Sequence, residues 1–446
     1  MGHAAGRSRS NGHPTATPRR GIPNLRQDGS VTIPAPAPKF AVLRSWKTAP
    51  YLVGAGLAMM GDNIEHVITY LVLWNTFHSP ILVGFQLVSH WLPYLLLSVY
   101  AGALAQRFDC RRIIQGAQIL FMFVSLCWGI LFLTGTLQLW QACVLLVLHG
   151  LAGCLWGPAE QMMLYDFAGR EQLPSAVRIN ATFRSLGVLF GPVVGSVLLL
   201  TLGTTWGIFA NIVFYLPLTL FLARTKFTGH SREGVYQTGR VSLWQSFRVL
   251  GTVRKDHVIM GMLILAALAS VSIGAVLQTA MPVFGNELTP AGADGELVYG
   301  ALLFALGIGG VVGGFFLEAS GWIPPTVRTA VISSITFGAF AMLFAFTGSL
   351  VVALIALVLT GFSQITATST GQAIVQLEAP AAERGRVLGA YSMFGPGMQT
   401  FSGVTIGALG TLVGIPITVV IGGAVLVAGA LLTALYIRGS ARRAEV

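Results

Sequence analysis

The sequence predicts an all-α polytopic membrane protein with twelve transmembrane helices in two pseudo-symmetric six-helix bundles. Three observations carry that prediction. Only 10% of the 446 residues are charged, where an ordinary soluble domain has roughly a quarter. Apolar segments of about 20 residues, the length that spans a bilayer, recur along the chain as six, a polar break, then six more. The basic residues are sorted onto one side of those segments.

The apolar segments are expected near 50–73, 81–105, 113–134, 138–158, 175–201 and 205–223, then 257–284, 297–318, 326–347, 349–376, 387–411 and 414–437. These bounds divide the chain into a basic tail (1–49), a first six-helix bundle (50–223), a linker (224–256), a second bundle (257–438) and a short C-terminal tail (439–446). The first tail is rich in Gly, Pro, Ser, Thr and Arg and has no apolar run. Its composition is that of a disordered segment, and no signal peptide is recognisable in it.

Of the 27 Lys and Arg residues, 24 fall in the two tails, in the linker, or at alternate helix junctions, and the other three, Arg178, Arg184 and Arg328, lie in segments toward that same side. The intervening junctions carry none, and one of them holds Glu287, Asp294 and Glu296. The positive-inside rule then places both termini in the cytoplasm of a cell-membrane protein. The net charge of +11 is thereby explained by topology, not by a nucleic-acid partner. A weak internal repeat agrees with two halves: Leu146-Val147-Leu148-His149-Gly150 returns as Leu357-Val358-Leu359-Thr360-Gly361, as expected for a carrier built from duplicated bundles.

Helix 1 carries the most informative residues. Asp62 lies near the middle of its segment, where an Asp costs roughly 2.5–3.5 kcal/mol on insertion scales. Asp62, Glu65 and His66 are spaced i, i+3, i+4 and share one face. Two carboxyls close together in low dielectric repel as anions, which favours holding a proton between them. The three are therefore expected to couple protons, with His66 tuning the carboxyls; a plain structural role, His66 neutralising Asp62, is the alternative. His and carboxylates also suit a divalent ion, so a divalent-metal exporter is a further alternative, although no metal site is assigned.

Other polar groups on apolar helices should face inward. Gln86, His90 and Tyr94 share a face of helix 2, His149 and Trp156 lie on helix 4, Gln364 and Gln372 on helix 10, and Tyr391 and Phe394 on helix 11. These nine are expected to line a substrate cavity. The four cysteines form no CxxC pair, and no phosphate loop or hydrolase motif is present. No cofactor and no enzymatic activity are expected.

Two motifs bear on the family. Gly102-Ala103-Leu104-Ala105-Gln106-Arg107-Phe108-Asp109-Cys110-Arg111-Arg112, between helices 2 and 3, resembles the cytoplasmic signature of the major facilitator superfamily. The resemblance implies a gate built on Gly102, Arg107, Arg111 and Arg112. Gln106 stands where that family usually has Asp, so an ion-pair gate would need Asp109 as its substitute. Gly187-x-x-x-Gly191-Pro192-x-x-Gly195 on helix 5 resembles the superfamily's exporter signature, and glycines four apart also form a smooth packing groove. The resemblance implies a monomeric secondary transporter: an antiporter using protons to export a small amphipathic organic compound, drug- or siderophore-like. An importer or facilitator on the same fold is the alternative.

Overall fold

The computed structural model describes residues 39–232, 241–290, 295–321 and 323–444. Most of the expected N-terminal tail, and 233–240 of the linker, lie outside the described residues. Helices α1 (Ala49–Phe77), α2 (Pro80–Arg107) and α3 (Cys110–Thr134) lead into a single helical run, Leu139–Asn211. Two glycines interrupt that run, Gly169 at φ 69° and Gly203 at φ 75°, in a left-handed conformation that other residues avoid. They separate α4 (139–168), α5 (170–202) and α6 (204–224), the last passing through a 3-10 turn at Ile212–Tyr215.

After the linker come α7 (257–287), α8 (Gly295–Ser320), α9 (Val327–Phe346), α10 (Leu350–Glu378), α11 (384–413) and α12 (Ile415–Ala444). Two of these are interrupted: α7 by a π segment at Ser270–Gly274, and α11 by a 3-10 turn at Pro396–Phe401. The interruptions face each other, since a side chain added at Gly274 would meet Gln399 at 3.5 Å.

Twelve long helical segments among the described residues thus stand where twelve were expected. Eight stretches, covering ten of them, are long and apolar enough to cross a membrane. The other two are α1, diluted by Asp62, Asn63, Glu65 and His66, and α11, broken by its 3-10 turn. Side chains such as Ile81 and Leu200 are 86% and 85% exposed, as suits a surface facing hydrocarbon. Helix starts are capped where the sequence allows. Asp109 accepts the Arg111 amide at 2.9 Å, and Asp256 accepts the amides of Val258 and Ile259 at 3.0 Å.

Two boundaries differ from the sequence reading. The polar stretch before Pro174 reads as a loop, yet α4 runs ten residues past its expected end and only Gly169 separates it from α5. Pro174 is the fifth residue of α5, so its missing N–H forfeits only the bond to the carbonyl of Arg170, the exposed first residue of that helix. The last helix continues to Ala444 through the residues assigned to a C-terminal tail.

The two sets of six helices are joined at the end of the molecule where α6 leaves and α7 begins, the linker end. The hydrogen bonds between them cluster there. Gln106 on α2 donates through Nε2 to the Ala381 carbonyl at 2.9 Å and accepts the Gly385 amide through Oε1 at 2.6 Å. Ser98 donates to the Gly389 carbonyl at 2.8 Å. On the other flank, Arg178 of α5 faces Glu318 of α8 at 3.5 Å, and Ser175 donates to the same carboxylate at 2.5 Å.

Asp109 does not replace the missing acid of the gate. It pairs instead with Arg111 of its own helix at 2.6 Å, and Arg111 in turn donates to the Thr225 carbonyl at 2.5 Å. Arg112 reaches Gln115 at 3.2 Å, and Arg107 lies over the Phe108 ring at 5.1 Å. The cross-half contact at this corner is therefore made by the neutral amide of Gln106, because its side chain is long enough to reach the start of α11.

Candidate functional site

The carboxylates of α1 meet one imidazole from α4. His149 Nε2 lies 2.7 Å from Asp62 Oδ1, and His149 Nδ1 lies 2.9 Å from Glu65 Oε1. One face of α1 presents both acids because they are three residues apart. Gly150 allows α4 to approach α2 closely, for a side chain there would press on the His90 carbonyl at 3.0 Å. The glycine motif of α5 holds the opposite side of α1. Substituents at Gly187 and Gly195 would meet Met60 N at 2.8 Å and Ile64 Cα at 3.4 Å, and Gly191 packs on Asn63. Gly187, Gly191 and Gly195 are thus a packing groove for the helix that carries the acids, while Pro192 faces outward.

Glu65, His149 and Asp62 form a connected chain. Each of the two short contacts holds one hydrogen, so two protons are shared over three basic groups; imidazole can donate at both nitrogens only as imidazolium. Ser125 of α3 donates to Glu65 Oε2, and Asn211 of α6 donates to Ser125 Oγ at 3.4 Å. Asp62, Glu65 and His149 are all buried, with Glu65 only 2% exposed. Hydrogen bonding from four helices offsets the desolvation of these groups.

His66 and His90 complete the cluster. His66 Nδ1 is 3.9 Å from Asp62 Oδ2, and its ring lies 4.9 Å from that of His149 and 4.8 Å from that of His90. One ligand atom from each of Asp62, His66, His90 and His149 can be chosen so that all four lie within 4.8 Å of one another. These four are the residues among those described that could hold a metal ion.

The remaining expected cavity residues divide between the halves. Gln86 is buried on α2, and Tyr94 is buried against Gly153 of α4, where an added side chain would meet its hydroxyl at 2.7 Å. Trp156 lies buried beneath the Arg184 guanidinium, 4.7 Å from its ring, and Arg184 pairs with Glu160 at 3.2 Å. In the second half, Tyr391 donates to the Thr368 carbonyl of α10 at 3.1 Å. Gln364, Gln372 and Phe394 are half-buried. The structure therefore gathers Asp62, Glu65, His66, His90 and His149 into one nest, and leaves the α10 and α11 residues with their own half.

Sequence reasoning placed His149 in the cavity rather than between the acids, and it missed Ser125 and Asn211. A signal for His149 existed: it is a buried-helix histidine where the repeat has Thr360. Ser125 and Asn211 carried none, since isolated polar residues are common in membrane helices. Removing the Ser125 donor leaves Glu65 short of a partner at a cost of about 1–3 kcal/mol. Ser125→Ala should accordingly lower the thermal unfolding midpoint in detergent, whereas Thr134→Ala, at an exposed hydroxyl, should leave it in place.

Comparison with known proteins bears on the family and the fold. The sequence model of the Major Facilitator Superfamily matches residues 51–402. The staphyloferrin A transporter of Staphylococcus aureus is 22% identical over 338 residues, 74% of this chain and 82% of that protein. Among solved structures, FucP in its outward conformation superposes with a TM-score of 0.68 at 14% identity, covering 87% of this chain and 98% of FucP. The human organic anion transporter MFSD10 superposes with a TM-score of 0.65 at 12% identity, covering 86% and 98%. At these identities the structural likeness establishes the fold.

Proposed function

Since the chain belongs to the major facilitator superfamily and is a multi-pass membrane transporter rather than an enzyme, we propose that it exports a small amphipathic organic compound by proton-coupled alternating access. The observation that carries this reading is the pair of buried carboxylates bridged by His149 on helices otherwise made for lipid. Ionisable groups at such depth are expensive and are characteristic of proton relays. In this reading Asp62 and Glu65 take protons from one side and release them to the other, with His66 and His149 passing them along. Gln86, His90, Tyr94, Trp156, Gln364, Gln372, Tyr391 and Phe394 contribute to the substrate path.

A siderophore-like substrate is supported by the staphyloferrin A transporter relative. Export is supported by the resemblance of the α5 glycine motif to the exporter signature. The sorting of basic residues supports a cell-membrane protein with both termini and the linker end in the cytoplasm. With that orientation, the Gln106 and Arg178–Glu318 contacts close the cytoplasmic side, which is the outward-facing arrangement. Two six-helix bundles rocking about the nest, and a monomeric protein, complete the proposal.

Reconstitution into proteoliposomes with an imposed pH gradient tests it. Siderophores and amphipathic drugs should move against their gradient as protons move down theirs. Counterflow without any response to the pH gradient would instead identify a facilitator, and substrate moving with the protons would identify an importer.

A further inference from the structure

We propose that Asp62, His66, His90 and His149 form a binding site for one divalent first-row transition-metal ion of the kind that favours imidazole, such as zinc, cobalt or nickel. This goes beyond the transport reading, because it concerns equilibrium binding and stands whichever way a substrate moves. Three imidazoles and a carboxylate are the donor set that such ions prefer, whereas calcium and magnesium require oxygen ligands.

Several features fit this assignment better than a hydrogen-bond network alone. His90 Nδ1 is buried and has no hydrogen-bond partner, an arrangement that costs about 1–3 kcal/mol unless something fills it. The His90 ring lies 4.8 Å from that of His66 and 5.6 Å from that of His149, so its free nitrogen belongs to a crowd of imidazoles. The ligand atoms lie within 4.8 Å of one another, while ligands on a tetrahedral zinc stand about 3.3 Å apart. Side-chain rotation closes a difference of that size.

Glu65 supplies the arrangement around the ligands. With Nδ1–H of His149 donating to Glu65 at 2.9 Å, Nε2 is the nitrogen that would bind the metal, in exchange for the hydrogen it now shares with Asp62. A carboxylate that orients a ligating histidine in this way is a recurrent companion of metal sites. Ser125 and Asn211 hold Glu65 in turn. Charge balances as well, because Asp62 and Glu65 together match a divalent cation where uncompensated charge is costly. Access lies past His66, whose side chain is 21% exposed against 4% for His149.

The test is titration of Co²⁺ into purified protein prepared without a histidine tag. One equivalent should produce the visible d–d absorption of a four-coordinate ion, displaced by Zn²⁺ and untouched by Mg²⁺. His90→Phe and Asp62→Asn should each weaken binding about 100-fold or more, and Glu65→Gln about 10–100-fold. Should His90→Phe not remain monodisperse, His90→Gln replaces it, and X-ray absorption of the cobalt-loaded wild type should count three imidazoles. Monodisperse protein that shows no such absorption, or whose absorption survives both ligand substitutions, overturns the proposal. Neither result depends on a pH gradient, so failure here is separate from failure of proton-coupled export.

Discussion

Asp62→Asn is expected to abolish accumulation against a gradient while leaving substrate exchange intact. The amide has the shape of the carboxyl and can keep a hydrogen bond to His149, now 2.7 Å from Asp62 Oδ1, so the helix contacts survive. It cannot gain and lose a proton. For one proton per cycle, each pH unit across the membrane is worth about 1.4 kcal/mol, a tenfold accumulation ratio. The variant should lose that factor for every unit of imposed gradient and stop at equal concentrations inside and out. Counterflow, which needs no net driving force, should continue. Measured in the same proteoliposomes, undiminished accumulation by Asp62→Asn would place the coupling elsewhere.

The second large effect is expected at the linker end. A side chain at Gly102 would run into the Gly385 carbonyl and lie 3.1 Å from Gly389 Cα. The obstacle is backbone on a facing helix, and no rotamer change relieves it. Ser98 and Gln106, on either side of Gly102, make the hydrogen bonds that depend on this approach. Overpacking ordinarily costs about 1–3 kcal/mol, and contact with main chain belongs at the upper end. A shift of about 3 kcal/mol lowers the ratio of closed to open at this end by roughly 150-fold. Gly102→Val should therefore reduce transport to background with the protein still folded. Spin labels on Glu171→Cys and Arg328→Cys, both exposed at the linker end, should report a longer distance in the variant. An unchanged distance together with normal transport would remove Gly102 from the gate.

The lipid-crossing architecture was readable because it rests on local quantities. An apolar run of about 20 residues has few other destinations, and charge sorting needs no knowledge of packing. Asp62, Glu65 and His66 were readable for the same reason, as costly residues on one face of one helix. Their principal partner was not. That α4 turns His149 toward α1, and not toward a substrate path with Trp156, depends on how α1, α2 and α4 pack through Gly150 and the α5 glycines. Sequence spacing does not encode that orientation. The α4–α5 junction misled for a local reason, since Pro174 and its polar neighbours suit the start of a helix as well as a loop. Gln106 and Asp109 show the same division: the departure from the family pattern was visible, but only geometry shows which of the two reaches the second half.

The facing interruptions of α7 and α11 give the two halves different vocabularies. Where an α-helix loosens into a π turn or tightens into a 3-10 turn, the pairing of carbonyls with amides shifts and main-chain oxygens are left with lone pairs to spare. Away from their ends, the helices of the second half carry no Asp, Glu, Lys or Arg, so peptide oxygens are among the strongest acceptors the middle of that half can offer. Contacts made there are indifferent to side-chain identity. A scan that trims side chains one by one would chart the first half in detail and pass over this part of the second, whose shape would respond instead to changes in helix continuity at Pro396 or Gly274.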